Sequence, residues 1–322
     1  MSSQNLLSVE FRALSARLGK DPLQVQGPGG NTSVKDGNIM WVKASGTELA
    51  HADVQNIFVG VDRNVAIAEA MGGGKGDCIK AILDPEMGLR PSIETTFHAV
   101  LEYSIVVHTH SVMTLVHSIS PEGRHSLANK LDGLPFVIVP YVKPGLPLTQ
   151  EILKWIKPET KIIILQNHGL ICCGHSIAEV DKLIAIVEQR LFMPPVKIKD
   201  NPPTSQPDTG FDWSEYSWLA QNSHTFSLVV KGSYYPDHVV FLGPGLPLND
   251  HEGSPPVIMK EGKGVLIRKT AIPSQKAMLR CLAEILQRMP NEWKPEPIGY
   301  QAEAELLDWD AEKYRQALAK QK

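Results

Sequence analysis

Two short apolar runs, each closed by histidine, constrain this chain more than any other feature. Ser104-Ile105-Val106-Val107 leads into His108-Thr109-His110, and Ile162-Ile163-Ile164-Leu165 leads into Gln166-Asn167-His168-Gly169. Short runs rich in β-branched residues read as buried strands. Side chains alternate along a strand, so His108 and His110 project together from one face and offer two imidazole nitrogens to one metal ion. His168, in a turn at the end of the other strand, can supply a third. Three histidines with a fourth position open describe a catalytic zinc site rather than a structural one. In a chain with 11 histidines, His-x-His alone would be weak evidence. The matching strand-end context of His168 makes it stronger.

The chain has 322 residues, 43% of them hydrophobic, enough to fill one large core or two smaller ones. Its net charge is -3 with acids and bases dispersed, which leaves no footprint for nucleic acid and no polybasic patch for a membrane surface. No apolar run approaches the length of a bilayer span. The start, Met1 to Asn5, has neither a charged leader nor an apolar core and does not read as a signal peptide. Cys78, Cys172, Cys173 and Cys281 form no Cys-x-x-Cys pair and read as free, buried thiols in a reducing compartment. A cytoplasmic protein with no nucleic-acid and no membrane partner is expected.

Apolar spacing predicts an opening helix over 6–18, a hairpin of Thr32–Lys35 and Ile39–Lys43, and a helix from Pro91-Ser92 to about Tyr103. Another helix is expected within 111–131, a strand at Phe136–Val139, and helices from about Thr149 to Ile156 and over Ser176–Leu191. Lys161–Leu165 and Leu170–Cys173 read as the strands around His168. Met71-Gly72-Gly73-Gly74-Lys75-Gly76-Asp77 resembles a phosphate loop but lacks the spacing and the hydroxyl after lysine, so it reads as a flexible loop. Proline-rich residues 193–210 read as a linker between a main domain, 1–192, and a smaller α/β extension, 211–322. In the extension a Trp213–Ala220 helix, a Val239–Leu242 strand, an Ile258–Ile267 hairpin, a Pro273–Arg288 helix and a charged final helix are expected. Because the first strands look like hairpin partners, the fold is expected to be α/β (α+β), with a mixed, mainly antiparallel sheet flanked by helices.

Three further segments can meet an anion. Gly29-Gly30-Asn31-Thr32-Ser33 and Ala44-Ser45-Gly46-Thr47 are small-residue loops that expose backbone N–H groups, and the hairpin between them can bring both to one end of the sheet. Ser92, read as a helix N-cap, turns the first free N–H groups of its helix toward whatever lies in front. Glu94, read in the first turn of that helix, can serve as a fourth ligand or a general base, or can simply favour the helix dipole.

In this order and at this spacing, Gly-Gly-Asn-Thr-Ser, Lys-Ala-Ser-Gly, Pro-Ser-x-Glu with His98 four residues on, His-Thr-His-Ser and Gln-Asn-His-Gly resemble the class II aldolase/adducin family over about residues 5–192. The tail, with Tyr235-Pro236-Asp237-His238 and Glu305-Leu306-Leu307-Asp308-Trp309, resembles the longer branch that includes the aldolase half of rhamnulose-phosphate aldolase/dehydrogenase proteins, without a dehydrogenase part following. The resemblance implies the family's three-layer fold. It implies a Zn2+ site, or one for another divalent transition metal, at His108, His110 and His168, with Glu94 as acid/base. It also implies a phosphate pocket of Gly30, Asn31, Ser45, Gly46 and Ser92. The expected activity is that of a class II aldolase-like lyase, cleaving or forming a C–C bond in a phosphorylated ketose through a metal-held enediolate. A homo-oligomer, with a tetramer favoured, is implied too.

Two departures matter. Ile93 stands where many members have a second serine. The loop Tyr141-Val142-Lys143-Pro144-Gly145 has no clear match to a tyrosine that some members place in a neighbouring subunit's site. Lys43 is similar to the 4-epimerases, but Glu94 stands where they usually have Asp. A 4-epimerase or a sugar-acid phosphate decarboxylase is therefore the alternative. A non-catalytic adducin-like module is disfavoured, because the three histidines and Glu94 are all present.

Overall fold

Gly37, at φ +55°, supplies the left-handed residue that lets the chain reverse within two residues between β1 (Asn31–Asp36) and β2 (Ile39–Lys43). The two strands pair antiparallel, with Ser33 opposite Val42. β3 (Phe58–Asp62) pairs with β2, and β4 (Ile105–Thr109) pairs with the free edge of β1. The sheet continues through β7 (Gly169–Gly174) and β6 (Ile162–Leu165) to β5 (Phe136–Val139), in the order β3-β2-β1-β4-β7-β6-β5. Only the β5–β6 pair is parallel. This is the mixed, mainly antiparallel sheet expected. The computed structural model describes residues 6–198, 201–250 and 253–320; the expectation about the chain's start, 1–5, and residues 199–200 of the expected linker lie outside these.

Strand alternation sorts the apolar residues into two layers. Val34, Val107, Ile162, Ile164, Leu170 and Cys172 share a buried cluster with α1 (Val9–Lys20) and, from the middle of the chain, with Val112, Leu115, Leu127, Val180 and Ile184. Val106, Ile163, Leu165, Ile171 and Cys173 face the other way, as do Met40, Val42, Val59 and Val61 of β2 and β3. That second face is covered by α2 (Arg63–Ala68), α3 (Thr95–Val100) and a later helix carrying Leu148 and Ile152. The helices completing both layers are α4 (Val112–Ser118), α5 (Pro121–Lys130), α6 (Leu146–Trp155) and α7 (Ile177–Leu191), with α6 on the second face. In α7 the periodicity predicts a stripe of Ile177, Val180, Leu183, Ile184 and Val187; Val180, Ile184, Val187 and Leu191 are buried, and Ile177 and Leu183 are half-buried.

The rest of the chain forms β8 (Phe211–Trp213), α8 (Trp218–Gln221), α9 (Ser223–Lys231), α10 (Pro236–Leu242), β9 (Val257–Lys260), β10 (Gly264–Arg268), α11 (Pro273–Arg288), α12 (Tyr300–Leu307) and α13 (Asp310–Ala319). Its strands make a second antiparallel sheet, β8-β10-β9. Its core is continuous with the first: Met278, Leu279 and Leu282 of α11 join the cluster that holds Val112 and Leu115 of α4. Among the described residues no helix is long and apolar enough to cross a membrane.

Several local expectations are corrected. Val239–Leu242 is helix, not strand. Pro236 occupies the first turn, where a missing N–H costs nothing, and every residue of α10 is buried, so its apolar run carries no periodicity to read. Trp213 closes a strand, and helix begins only at Trp218. The 111–131 segment is two helices, parted where Ser120 caps the second by accepting from the Gly123 N–H at 3.0 Å. The glycine-rich segment is pinned: the buried Glu69 carboxylate accepts from the Gly76 and Cys78 N–H groups at 2.9 and 3.1 Å.

Candidate metal centre

The strand ends do what the two apolar runs require. His108 is the last but one residue of β4, flanked by Asn31 of β1 and Ile171 of β7 in the sheet register. Ser111 ends the strand by capping α4, accepting from the Thr114 N–H at 3.1 Å, which leaves His110 just beyond the sheet edge. Asn167, at φ +54°, closes the β6–β7 turn, and its amide donates to Tyr234 O and Glu296 O at 3.0 and 2.9 Å. That turn delivers His168. The ring centroids lie 5.0 Å apart for His108–His110, 5.0 Å for His108–His168 and 5.3 Å for His110–His168. One nitrogen from each ring lies within 4.8 Å of the others, a spacing that could hold a metal ion.

Hydrogen bonding sharpens this reading. His108 Nδ1 is 3.0 Å from Leu170 O, an acceptor only, so Nδ1 carries the proton and Nε2 a lone pair. That lone pair faces Glu94 Oε2 at 3.5 Å, and His168 Nε2 faces Glu94 Oε1 at 3.5 Å. His108 Nε2 and Glu94 Oε1 find no hydrogen-bond partner among the described residues, although both are buried. Burial lowers the basicity of His108 to about 4 and of His168 to about 3, so both are neutral near pH 7 and cannot pair with Glu94 as cations. Unpaired acceptors converging in a dry site are costly unless a cation lies among them. The donor set fits a divalent metal.

Glu94 is positioned differently from expectation. The helix starts at Thr95, so Glu94 occupies the N-cap position, with backbone φ -105° and ψ 9°, and makes no capping bond with its side chain. Ser92 is not the cap; its hydroxyl accepts from the Glu94 N–H at 3.2 Å. The carboxylate is thereby released toward the histidines, where Asn31 Nδ2 donates to it at 2.8 Å. Burial pushes the Glu94 carboxyl up, but the charge that His108 and His168 take on in acid and the Asn31 bond outweigh it and hold the group below its ordinary range. Behind Asn31, its Oδ1 bonds His98 Nε2, and His98 Nδ1 accepts from Ser33 Oγ at 2.7 Å. His98, Ser33 and Asn31 thus form a buried chain that orients the acid.

A cavity of about 30 Å³ opens on this cluster, lined by Gly30, Asn31, Ser45, Gly46, Ser92, Glu94, His110 and His168 among others. The two small-residue loops and the Ser92 segment therefore do reach one place, together with Lys43 and Ile93. The lining also includes residues of the tail that were not anticipated: Pro236 and Asp237 of α10, and Glu312 and Arg315 of α13. Asp237 Oδ2 lies 3.2 Å from His110 Nδ1. The Tyr235-Pro236-Asp237-His238 motif marks the tail, but nothing in its spacing ties Asp237 to a histidine so distant in the chain.

The family model of the class II aldolase and adducin N-terminal domain matches residues 11–193. The chain belongs to that family. A Bacillus subtilis relative, the uncharacterized oxidoreductase YuxG, is 31% identical over 193 residues, which cover 53% of this chain and 27% of that protein. An L-fuculose phosphate aldolase of Methanocaldococcus jannaschii is 24% identical over 184 residues, covering 53% of this chain and 86% of the relative. Among solved structures, the N-terminal class II aldolase domain of a Thermoplasma acidophilum protein is 30% identical with a TM-score of 0.50, over 56% of this chain and 90% of that one. The seven-stranded sheet with its helices is thus the class II aldolase fold, and α10 and α13, which complete the pocket, lie outside the matched segment.

Proposed function

We propose that this class II aldolase family member is a metal-dependent lyase that cleaves or forms a C–C bond in a ketose, with a sugar phosphate as its substrate class. The observation that carries the reading is the unpaired buried atoms His108 Nε2 and Glu94 Oε1, with His110 and His168 beside them. His108, His110 and His168 would hold Zn2+ or another divalent transition metal. When bound, such an ion supplies Lewis acidity toward a carbonyl and its neighbouring hydroxyl. Glu94, aimed by Asn31, takes or returns the proton at the carbon or hydroxyl beside the reacting bond. Gly30, Asn31, Ser45, Gly46 and Ser92 provide N–H, amide and hydroxyl donors for an anionic substrate group, with the Lys43 ammonium on the same wall. Residues 1–192 would carry the chemistry and 211–322 would close it, joined by 193–210. We further propose a cytoplasmic homo-oligomer, a tetramer by preference, which light scattering tests.

Lys43 in the cavity wall favours a second reading, a 4-epimerase or sugar-acid phosphate decarboxylase that uses the same proton transfer. Glu94 rather than Asp places the aldolase first. The retained histidines and Glu94 count against an adducin-like module without catalysis. Metal analysis of the purified chain, followed by product analysis with ketose phosphates and sugar-acid phosphates, tests the set. Bound metal with cleavage of a ketose phosphate is expected. Inversion or CO2 release without cleavage would replace the aldolase reading, and failure to take up any metal would end all the enzymatic ones.

A further inference from the structure

We infer that Asp237, from outside the family-matched segment, is a positioning residue for the metal centre. It holds His110 with Nδ1 protonated and Nε2 turned to the metal, and is itself held by Arg315 of the last helix. The inference rests on the metal reading above.

Asp237 Oδ2 and His110 Nδ1 are 3.2 Å apart, with the two side chains 2% and 7% exposed. The oxygen makes no well-aligned hydrogen bond with any described residue, which leaves the His110 imidazole edge as the polar group it faces. A carboxylate accepts only, so the ring must offer its proton at Nδ1, which leaves the Nε2 lone pair for a metal. Leu170 O does the same for His108. A carboxylate behind a ligating histidine fixes the tautomer and makes the ring a better ligand than a carbonyl does.

The carboxylate is built into place. Its Oδ1 lies 3.1 Å from Arg315 Nη2, and Arg315 Nη1 donates to both Glu312 oxygens at 2.9 and 2.8 Å. Asp237, Glu312 and Arg315 are all buried. Gly29 makes room for the pair: a Cβ there would fall 2.8 Å from His110 Nδ1 and 2.9 Å from Asp237 Oδ2. Asp237 also sits in the first turn of α10, where any acid is favoured by the helix dipole. That role would not require its side chain to face the imidazole.

The test uses the full chain, stripped of metal and titrated with Co2+ and, by chelator competition, with Zn2+. Asp237→Asn is expected to bind both about 10- to 100-fold more weakly and to shift the Co2+ visible absorption bands, while the metal-free variant keeps the wild-type circular dichroism. Arg315→Lys, which keeps the charge, is expected to lose less. Wild-type affinity and an unshifted Co2+ spectrum in Asp237→Asn would overturn the inference while leaving the metal reading intact. No metal uptake by the wild type would overturn both. Should the variant not fold, imidazole ¹⁵N NMR of the Zn2+-loaded wild type decides: a proton on His110 Nδ1 is expected, and a proton on Nε2 would refute the inference.

Discussion

At the scale of single residues, what matters is which atom of each side chain is already engaged. His108 spends Nδ1 on Leu170 O, and Asn31 spends its amide on Glu94, so the remaining atoms face one another. The histidines were legible from sequence because strand alternation and a turn suffice to gather them. The direction of each ring was not, because it depends on a carbonyl and a carboxylate supplied from elsewhere in the fold. His110→Ala should lose bound metal and turnover yet keep wild-type circular dichroism, since the proposed ion would sit at the sheet edge and not in the core; an unfolded variant would contradict this. Asn31→Ala strips the buried Glu94 carboxylate of its donor and should cost about 1–3 kcal/mol in chemical unfolding, together with a fall in kcat. Lys35, on the same face of β1, is a second buried cost: burial lowers its ammonium to about 7. Between pH 7 and about 10 the unfolded lysine is protonated and the folded one is not, so stability rises with pH there. Relative to Lys35→Met, the wild type should gain at most about 1.4 kcal/mol per pH unit across that window, measured by urea unfolding. A flat difference would show that the folded lysine keeps its proton.

At the scale of elements, the sequence speaks clearly where one face of an element meets water and poorly where none does. α7 carries an exposed side and was legible. α10 is buried all round, and its Val-Val-Phe-Leu run reads equally as strand. The start of α3 was misplaced for a different reason: Ser92 and Glu94 both suit a helix cap, and the fold uses them to hold the site instead. The Ser45-Gly46 loop shows why tolerance is low here. Gly46 sits at φ +73°, and a Cβ on it would run into the Leu318 side chain of α13. Gly46→Ala should therefore destabilise the chain by about 1–3 kcal/mol and raise KM, read by thermal unfolding and kinetics. Unchanged stability would mean that the loop and α13 part easily.

At the scale of the whole molecule, the family-matched segment and the tail share a buried core, and the tail supplies walls of the pocket. The mixed, mainly antiparallel sheet followed from hairpin turns and β-branched runs; the strand order did not. The closure by α10 and α13 did not, because contacts between segments so far apart leave no local pattern. The cavity, about 30 Å³, is small beside a ketose phosphate, and Glu312 and Arg315 of α13 form part of its wall. Arg90 stacks on Tyr314 at 4.7 Å and Lys143 on Trp309 at 4.6 Å, so cation–π contacts add to the buried Arg315 and Ala319 in holding α13 at the rim. Trp309→Ala, which removes the Lys143 contact at the rim, should lower KM for a phosphorylated ketose, and an unchanged KM in steady-state kinetics would show that this contact does not restrict the substrate. The most direct test of the account is C–C cleavage of a ketose phosphate by the full chain before chelation, after it, and after Zn2+ is restored. Release of an aldehyde and a three-carbon ketone phosphate that chelation abolishes and Zn2+ restores is the expected result; cleavage that continues undiminished in chelated protein shown to be free of metal would contradict it.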